Sequence, residues 1–150
     1  MFEKILYAGW GDMDSNGHMR NTAYLDKGAD VRMMFFSEHG FSMDEFVRRR
    51  IGPVVMKDEV EYFREVRILA QLRVTFLLGG LADDGSRFII RNEFWRTEGD
   101  LAARVTSTGG WLDLSARKLV VAPDGLLTAM QAMTHTDDYR VLPSSIKPNS

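Results

Sequence analysis

Two carboxylates and a histidine crowd one short segment, Gly11-Asp12-Met13-Asp14-Ser15-Asn16-Gly17-His18-Met19-Arg20-Asn21. Directly after it, from about Thr22, comes a stretch long and apolar enough for a buried helix. A helix start presents backbone N–H groups without intrahelical partners and about half a positive charge. Such a place polarises a carbonyl and steadies the oxyanion formed when that carbonyl is attacked. A carboxylate beside it can attack the carbonyl itself or take a proton from a water. The combination points to acyl transfer to water, with neither metal nor cysteine required.

Competing chemistries fit this segment less well. Asp12, Asp14, Asn16 and Gly17 occupy positions one, three, five and six of a calcium-binding EF-hand loop. The closing position, which needs a bidentate glutamate, is Ala23, and Arg20 aims a cation at the proposed cation. Ser15 lacks the first glycine of a G-x-S-x-G elbow, because Met13 stands there. His18, His39 and His135 are scattered, with no pair one helical turn apart, so a histidine zinc site is poorly supported. His39 and His135 read as surface or capping histidines. There is no cysteine, which removes disulfides, thiolate metal sites and cysteine nucleophiles together. The expectation is therefore no metal and no cofactor. Arg48-Arg49-Arg50 read as cations closing a helix, with a grip on a phosphorylated ligand as the functional alternative. The methionines read as irregular core fill.

The elements that must position the loop are legible from periodicity. Phe2–Ala8 is rich in β-formers and predicts a strand, followed by the loop Gly9–Asn21. A helix is expected from about Thr22 to His39, closed by Gly40 in a left-handed stop. Apolar residues lie nearly all round it, which predicts burial on every side. Gly28 in its middle costs about 1 kcal/mol of helix propensity against alanine, and close approach of another backbone would explain it. Ser42-Met43-Asp44-Glu45 opens a short helix with a capping box.

From Pro53 the period falls to two. Val54, Met56, Val60 and Tyr62 are expected on one face of a strand, with Lys57, Glu59, Glu61 and Glu65 on the solvated face. That alternation also puts Asp58 on the apolar-facing side. Leu72–Leu78 forms the next strand, Asp84-Gly85 turns into Arg87–Arg96, and Thr97–Asp100 turns into a strand from Ala102 to about Leu114. The order β-α-β-β-β-β predicts an α+β fold, an antiparallel sheet with one long helix on a single face.

The chain has 150 residues, a formal charge of −2 and 45% apolar residues, which suits one soluble domain. No broad positive field exists for nucleic acid. The longest apolar run, Phe76–Ala82, is far short of the roughly 20 residues a membrane span needs. The start of the chain has no secretory pattern, so a cytoplasmic protein is expected. Residues 1–142 are expected to form one domain and residues 143–150 a flexible tail.

These residues resemble the hotdog-fold acyl-CoA thioesterases, specifically the 4-hydroxybenzoyl-CoA thioesterase-like group. The loop is similar to that group's D-x-D-x-x-G-H-x-x-N-x-x-Y-L pattern through Asp12, Asp14, Gly17, His18, Asn21, Tyr24 and Leu25. Arg32, Gly40-Phe41-Ser42, Glu61-Tyr62-Phe63-Arg64, Trp111 and Asp113 extend the likeness over about residues 2–125. The resemblance implies a five-stranded antiparallel sheet wrapped around one long central helix. It implies a homodimer, often assembled further into a homotetramer, acting on an acyl-CoA or acyl-carrier thioester, with no nucleic acid or membrane partner. By resemblance, Asp14 is the catalytic nucleophile or general base and the backbone amide of Asn21 polarises the carbonyl. His18 supports the loop, and Tyr24, Tyr62, Arg64 and Arg67 are the substrate contacts. Two alternatives stand beside hydrolysis: a non-catalytic acyl-thioester-binding or dimerisation module, and a dehydratase or hydratase using His18 with Asp14.

Overall fold

The structure is a computed structural model, and it describes residues 1–146. Strand β1 (Phe2–Tyr7) leads through a single 3-10 turn (Trp10–Asp12) into helix α1 (Asn21–Glu38) and short helix α2 (Met43–Arg49). Four long strands follow: β2 (Ile51–Tyr62), β3 (Gln71–Ala82), β4 (Arg87–Arg96) and β5 (Leu101–Asp113). The chain then forms β6 (Lys118–Val120), α3 (Asp124–Gln131) and β7 (His135–Leu142). The fold is α+β, and its central sheet runs β1-β3-β4-β5-β2 with antiparallel neighbours throughout.

The expected sheet of five strands is extended by two more. β6 pairs with β5 through Trp111–Asp113, and β7 lies parallel to β3 where β1 has ended. Gly80 permits that last approach: a Cβ there would stand 3.1 Å from the Arg140 carbonyl oxygen. Of the expected tail, the Ser145 amide donates to Ser86 Oγ at 2.8 Å; residues 147–150 lie outside the described residues.

Helix α1 begins one residue earlier than its pattern suggested and ends before Gly40, whose φ is +88°. It is not buried all round. Ala23, Tyr24, Gly28, Val31, Arg32, Phe35 and Phe36 form a buried stripe at helical spacing, while Asp26, Ala29, Asp30 and Ser37 are exposed. The stripe lies against β1, β3 and β5. Phe35 and Phe36 meet Phe76 edge-on, and Phe36 meets Trp111 at 5.5 Å between ring centroids. Burying each such side chain is worth about 1.5–3 kcal/mol, so this seam fixes α1 on the sheet.

Gly28 answers a side chain rather than a backbone. A Cβ at that position would come within 2.9 Å of Asn92 Oδ1 from β4. Asn92 is fully buried there, with its Nδ2 donating to the Thr75 carbonyl and its Oδ1 accepting from Arg32 Nε. The glycine makes room for this cross-link between helix and sheet.

The faces of β2 differ from simple alternation. A bulge leaves Met56 without a partner on β5, between the pairs Val55↔Gly109 and Lys57↔Thr108. The extra residue shifts the parity, so Val55 rather than Val54 shares the helix-side face with Asp58, Val60 and Tyr62. β2 is also an edge strand, with Val55, Met56 and Tyr62 largely exposed. At the end of α2, Ser42 caps the Glu45 amide as expected, but the Glu45 carboxylate turns to Arg48 and Arg49 instead of closing the box.

Candidate active site

The loop between β1 and α1 is tied down in two different ways. Its first half is held by Asp12, whose Oδ2 accepts from the Gly9 amide at 2.7 Å and pairs with Lys27 Nζ at 2.9 Å. Lys27 lies nearly two turns into α1, so this pair clamps the loop to the helix. Burial of Asp12 works to raise its pKa, but the Lys27 and Gly9 hydrogen bonds outweigh it and hold the carboxyl below its ordinary value.

The second half is a tight turn built on Asp14. Its Oδ1 accepts from the amides of Asn16 at 2.8 Å and His18 at 3.1 Å, and its own amide donates to the His18 carbonyl at 2.8 Å. Aspartate and asparagine favour such self-bonded turns, and Gly17, at φ +77°, supplies the reversal. The turn is pinned to the chain after β2, where Met19 donates to the Val66 carbonyl at 2.7 Å and His18 bridges to Arg67. The His18 and Asn16 amides stabilise the charged carboxylate and lower the Asp14 pKa. Asp14 is therefore ionised throughout the neutral range. Both amides take Oδ1, and no donor meets Oδ2 among the described residues.

Helix α1 starts immediately after this turn. Arg20 precedes it in extended conformation and gives no side-chain cap; Ala23 donates to the Arg20 carbonyl at 3.1 Å, and among the described residues the amides of Asn21 and Thr22 stay open. Asp14, His18, Asn21, Tyr24, Tyr62 and Arg64 all line one cleft of about 400 Å³, together with Asn16, Met19, Phe63 and Glu65. Tyr62 donates a long hydrogen bond of 3.4 Å to the Asn21 carbonyl, and its ring meets Tyr24 edge-on at 5.4 Å. Burial, and then Tyr62 beside it, pushes the Tyr24 hydroxyl up to about 12; burial also raises Tyr62. Both phenols stay protonated and available as donors.

Arg67 stands apart from these six. It lines a neighbouring cavity of about 650 Å³ on the other side of the segment after β2, shared through Phe63, Arg64 and Glu65. Arg96, which belongs to no motif, also faces this second cavity and pairs with Asp100 at 2.7 Å. Arg48 and Arg49 are both occupied by Glu45 at the opposite end of β2 from Tyr62, which favours their reading as helix-closing cations. His18 is supported by Glu65, with Nε2 and Oε2 3.2 Å apart. Its ring thus faces Glu65, and only its backbone meets Asp14. Lys27 and Glu65 were not legible as site residues, because nothing in local spacing links Lys27 to Asp12 or Glu65 to His18. Among the described residues, no group of three or more histidines and carboxylates could hold a metal ion.

A family model described as the thioesterase-like superfamily matches residues 8–130, a span that includes the loop, α1 and the whole central sheet except β1. No match was found among curated proteins. Solved structures share the fold at low identity. A hypothetical protein from Staphylococcus aureus in complex with CoA is 18% identical, with a TM-score of 0.80 over 98% of this chain and 89% of that one. A 1,4-dihydroxy-2-naphthoyl-CoA thioesterase from Synechocystis is 18% identical, with a TM-score of 0.78 over 90% of this chain and 98% of that one. A probable thioesterase from Escherichia coli is 19% identical, with a TM-score of 0.74 over 89% of this chain and 99% of that one. With that family model matched over most of its length, the chain belongs to the thioesterase-like superfamily.

Proposed function

We propose that this protein hydrolyses acyl thioesters, with acyl-CoA as the substrate class and Asp14 as nucleophile or general base. The observation that carries the reading is the meeting of an ionised, half-free carboxylate with an uncapped helix start in one cleft. The substrate carbonyl oxygen accepts from the open amides at Asn21, which hold the charge that develops on attack. Either Asp14 Oδ2 or a water it deprotonates bonds to the carbonyl carbon. The C–S bond then breaks and the sulfur leaves as thiolate. On the general-base route the free acid is already formed, and the proton held by Asp14 passes to the sulfur. On the nucleophilic route a water cleaves the acyl–Asp14 anhydride, which frees the acid, restores the carboxylate and supplies the proton. Asp12 and His18 hold the loop and stay outside the bond changes.

Tyr62, Tyr24 and Phe63 form the apolar wall of the cleft, and Arg64 with Arg67 supplies cations for the phosphates of CoA. The CoA-bound relative supports CoA over a carrier protein as the thiol. The exposed edge of β2, carrying Val55, Met56 and Tyr62 beside the cleft, supports edge-to-edge association into a dimer or tetramer with the site at the boundary. Residues 1–142 would act as one catalytic domain in the cytoplasm. The ring of His18 engages Glu65, which disfavours a His18–Asp14 hydratase pair.

A panel of acyl-CoA substrates with a free-thiol readout tests the proposal. Release of CoA from at least one member is the expected result. Hydration of an unsaturated acyl-CoA without thiol release, or binding without any turnover, would overturn it. Sedimentation at micromolar concentration tests the assembly, and a fully active monomer would contradict the shared site.

A further inference from the structure

One buried polar network lies outside the machinery described above, and it ends in an open carboxylate. Arg32, on the buried stripe of α1, donates through Nε to Asn92 Oδ1 at 2.9 Å and through Nη2 to Ser107 Oγ at 2.7 Å. Ser107 in turn donates to Asp58 Oδ1, across the β2–β5 pair in which Asp58 and Ser107 stand opposite each other. Arg32 and Ser107 are buried, whereas Asp58 is exposed. Among the described residues, Ser107 is the one side chain that donates to Asp58.

Asp58, Val60 and Tyr62 alternate along one face of β2, past its bulge. Tyr62 touches Tyr24 at the mouth of the candidate site, Val60 packs on the core, and Asp58 meets the network rooted in α1. On the helix, Tyr24, Gly28 and Arg32 run in parallel, one turn apart. The strip between edge strand and helix therefore begins polar at the site, is apolar at Val60, and turns polar again about 13 Å further on at Asp58.

We propose that this strip receives the acyl group and that Asp58 hydrogen-bonds a hydroxyl at its far end, making an ω-hydroxyacyl thioester the preferred substrate. The inference rests on the thioesterase reading and adds its specificity. Asp58 repels an anionic tail, and the Arg32 guanidinium behind it offsets the carboxylate's charge and weakens its pull on a cationic one, so a neutral donor fits the pair best. A hydrocarbon end would bury the carboxylate with lone pairs unmet, which is costly. Arg32 and Ser107 are positioning residues: they fix Asp58 without touching the ligand.

The test compares kcat/KM for ω-hydroxydecanoyl-CoA and decanoyl-CoA in the wild type, Asp58→Asn and Asp58→Ala. A ratio within one protein is unaffected by how much of a variant is folded. The wild type is expected to favour the hydroxyacyl substrate at least tenfold, Asp58→Asn less, and Asp58→Ala not at all. Equal ratios in the three proteins would overturn the inference. If neither thioester is cleaved, the thioesterase reading fails, and calorimetry with the matching S-alkyl and S-(ω-hydroxyalkyl) CoA thioethers decides specificity separately. Tighter binding of the hydroxylated thioether that Asp58→Ala abolishes would uphold the strip; equal binding, or none, would overturn it.

Discussion

Helix α1 carries polar groups at two places, and they are built in opposite ways. About three turns inside the helix, Arg32 donates to Asn92 and Ser107, both fully buried, so its donors are spent on the protein itself. Burial lowers the guanidinium to about 10 and Asp58 counters the shift, which leaves Arg32 charged at any ordinary pH. At the start of the helix, the first-turn amides have no cap and Asp14 is satisfied only on one oxygen, by its own turn. The inner cluster is closed around Arg32, where it holds structure, and opens only at its exposed end, Asp58. The outer one is open and keeps its bonding capacity for a substrate. The same division recurs within the loop, where Asp12 is clamped to Lys27 and Asp14 is not.

Substitutions should separate the two clusters cleanly. The largest expected effect is on chemistry: Asp14→Asn keeps the shape of the turn but removes the charge, and kcat should fall roughly 10²–10⁴-fold. Thermal unfolding of that variant should match the wild type, and a large loss of stability would assign Asp14 to structure instead. Next comes Arg32→Met, which leaves Asn92 Oδ1 and Ser107 Oγ without their charged donor and should cost about 3 kcal/mol in urea unfolding. A neutral outcome would mean the inner network is dispensable.

Gly28→Ala is expected to cost about 1 kcal/mol, because displacing Asn92 Oδ1 outweighs the gain in helix propensity. A stabilised variant would show that Asn92 yields easily. Asp12→Asn should have the smallest effect, under about 1 kcal/mol and under about tenfold in kcat. Its sign with pH is fixed by a folded pKa below 3.8: the contribution is present above that value and fades as pH falls through the folded pKa. Chemical unfolding of wild type and Asp12→Asn at neutral and acid pH checks this, and a gap that widens in acid would contradict it.

The outer cluster was far more legible in the sequence than the inner one. Asp14, His18 and Asn21 lie within one short segment, and a glycine-bearing acidic loop before a helix announces its chemistry through residue type and spacing. Helix α1 and strands β4 and β5 followed from periodicity to within a residue or two, whereas β3 runs four residues past Leu78 to Ala82. The faces of β2 did not, because a bulge at Met56 adds a residue that hydropathy cannot register. Arg32 sits on the apolar stripe, and its partners lie 60 and 75 residues away, so local pattern carries no trace of the network. Gly28 looked like a mark of backbone contact because a glycine records only that space is needed, not what fills it. β6, α3 and β7 are short, and the two strands take the places on β5 and β3 that β4 and β1 leave unpaired.

The central claim, that an ionised Asp14 drives the reaction, is tested most directly by the pH dependence of kcat/KM for a hydrolysed acyl-CoA, with folding followed by circular dichroism at each pH. The amides of His18 and Asn16 lower the Asp14 pKa below 3.8, so the rate should hold level from neutral pH down towards that value before any acid limb appears. An acid limb centred near the ordinary histidine value of about 6.5 in a protein still folded would transfer the role to His18 and contradict the account.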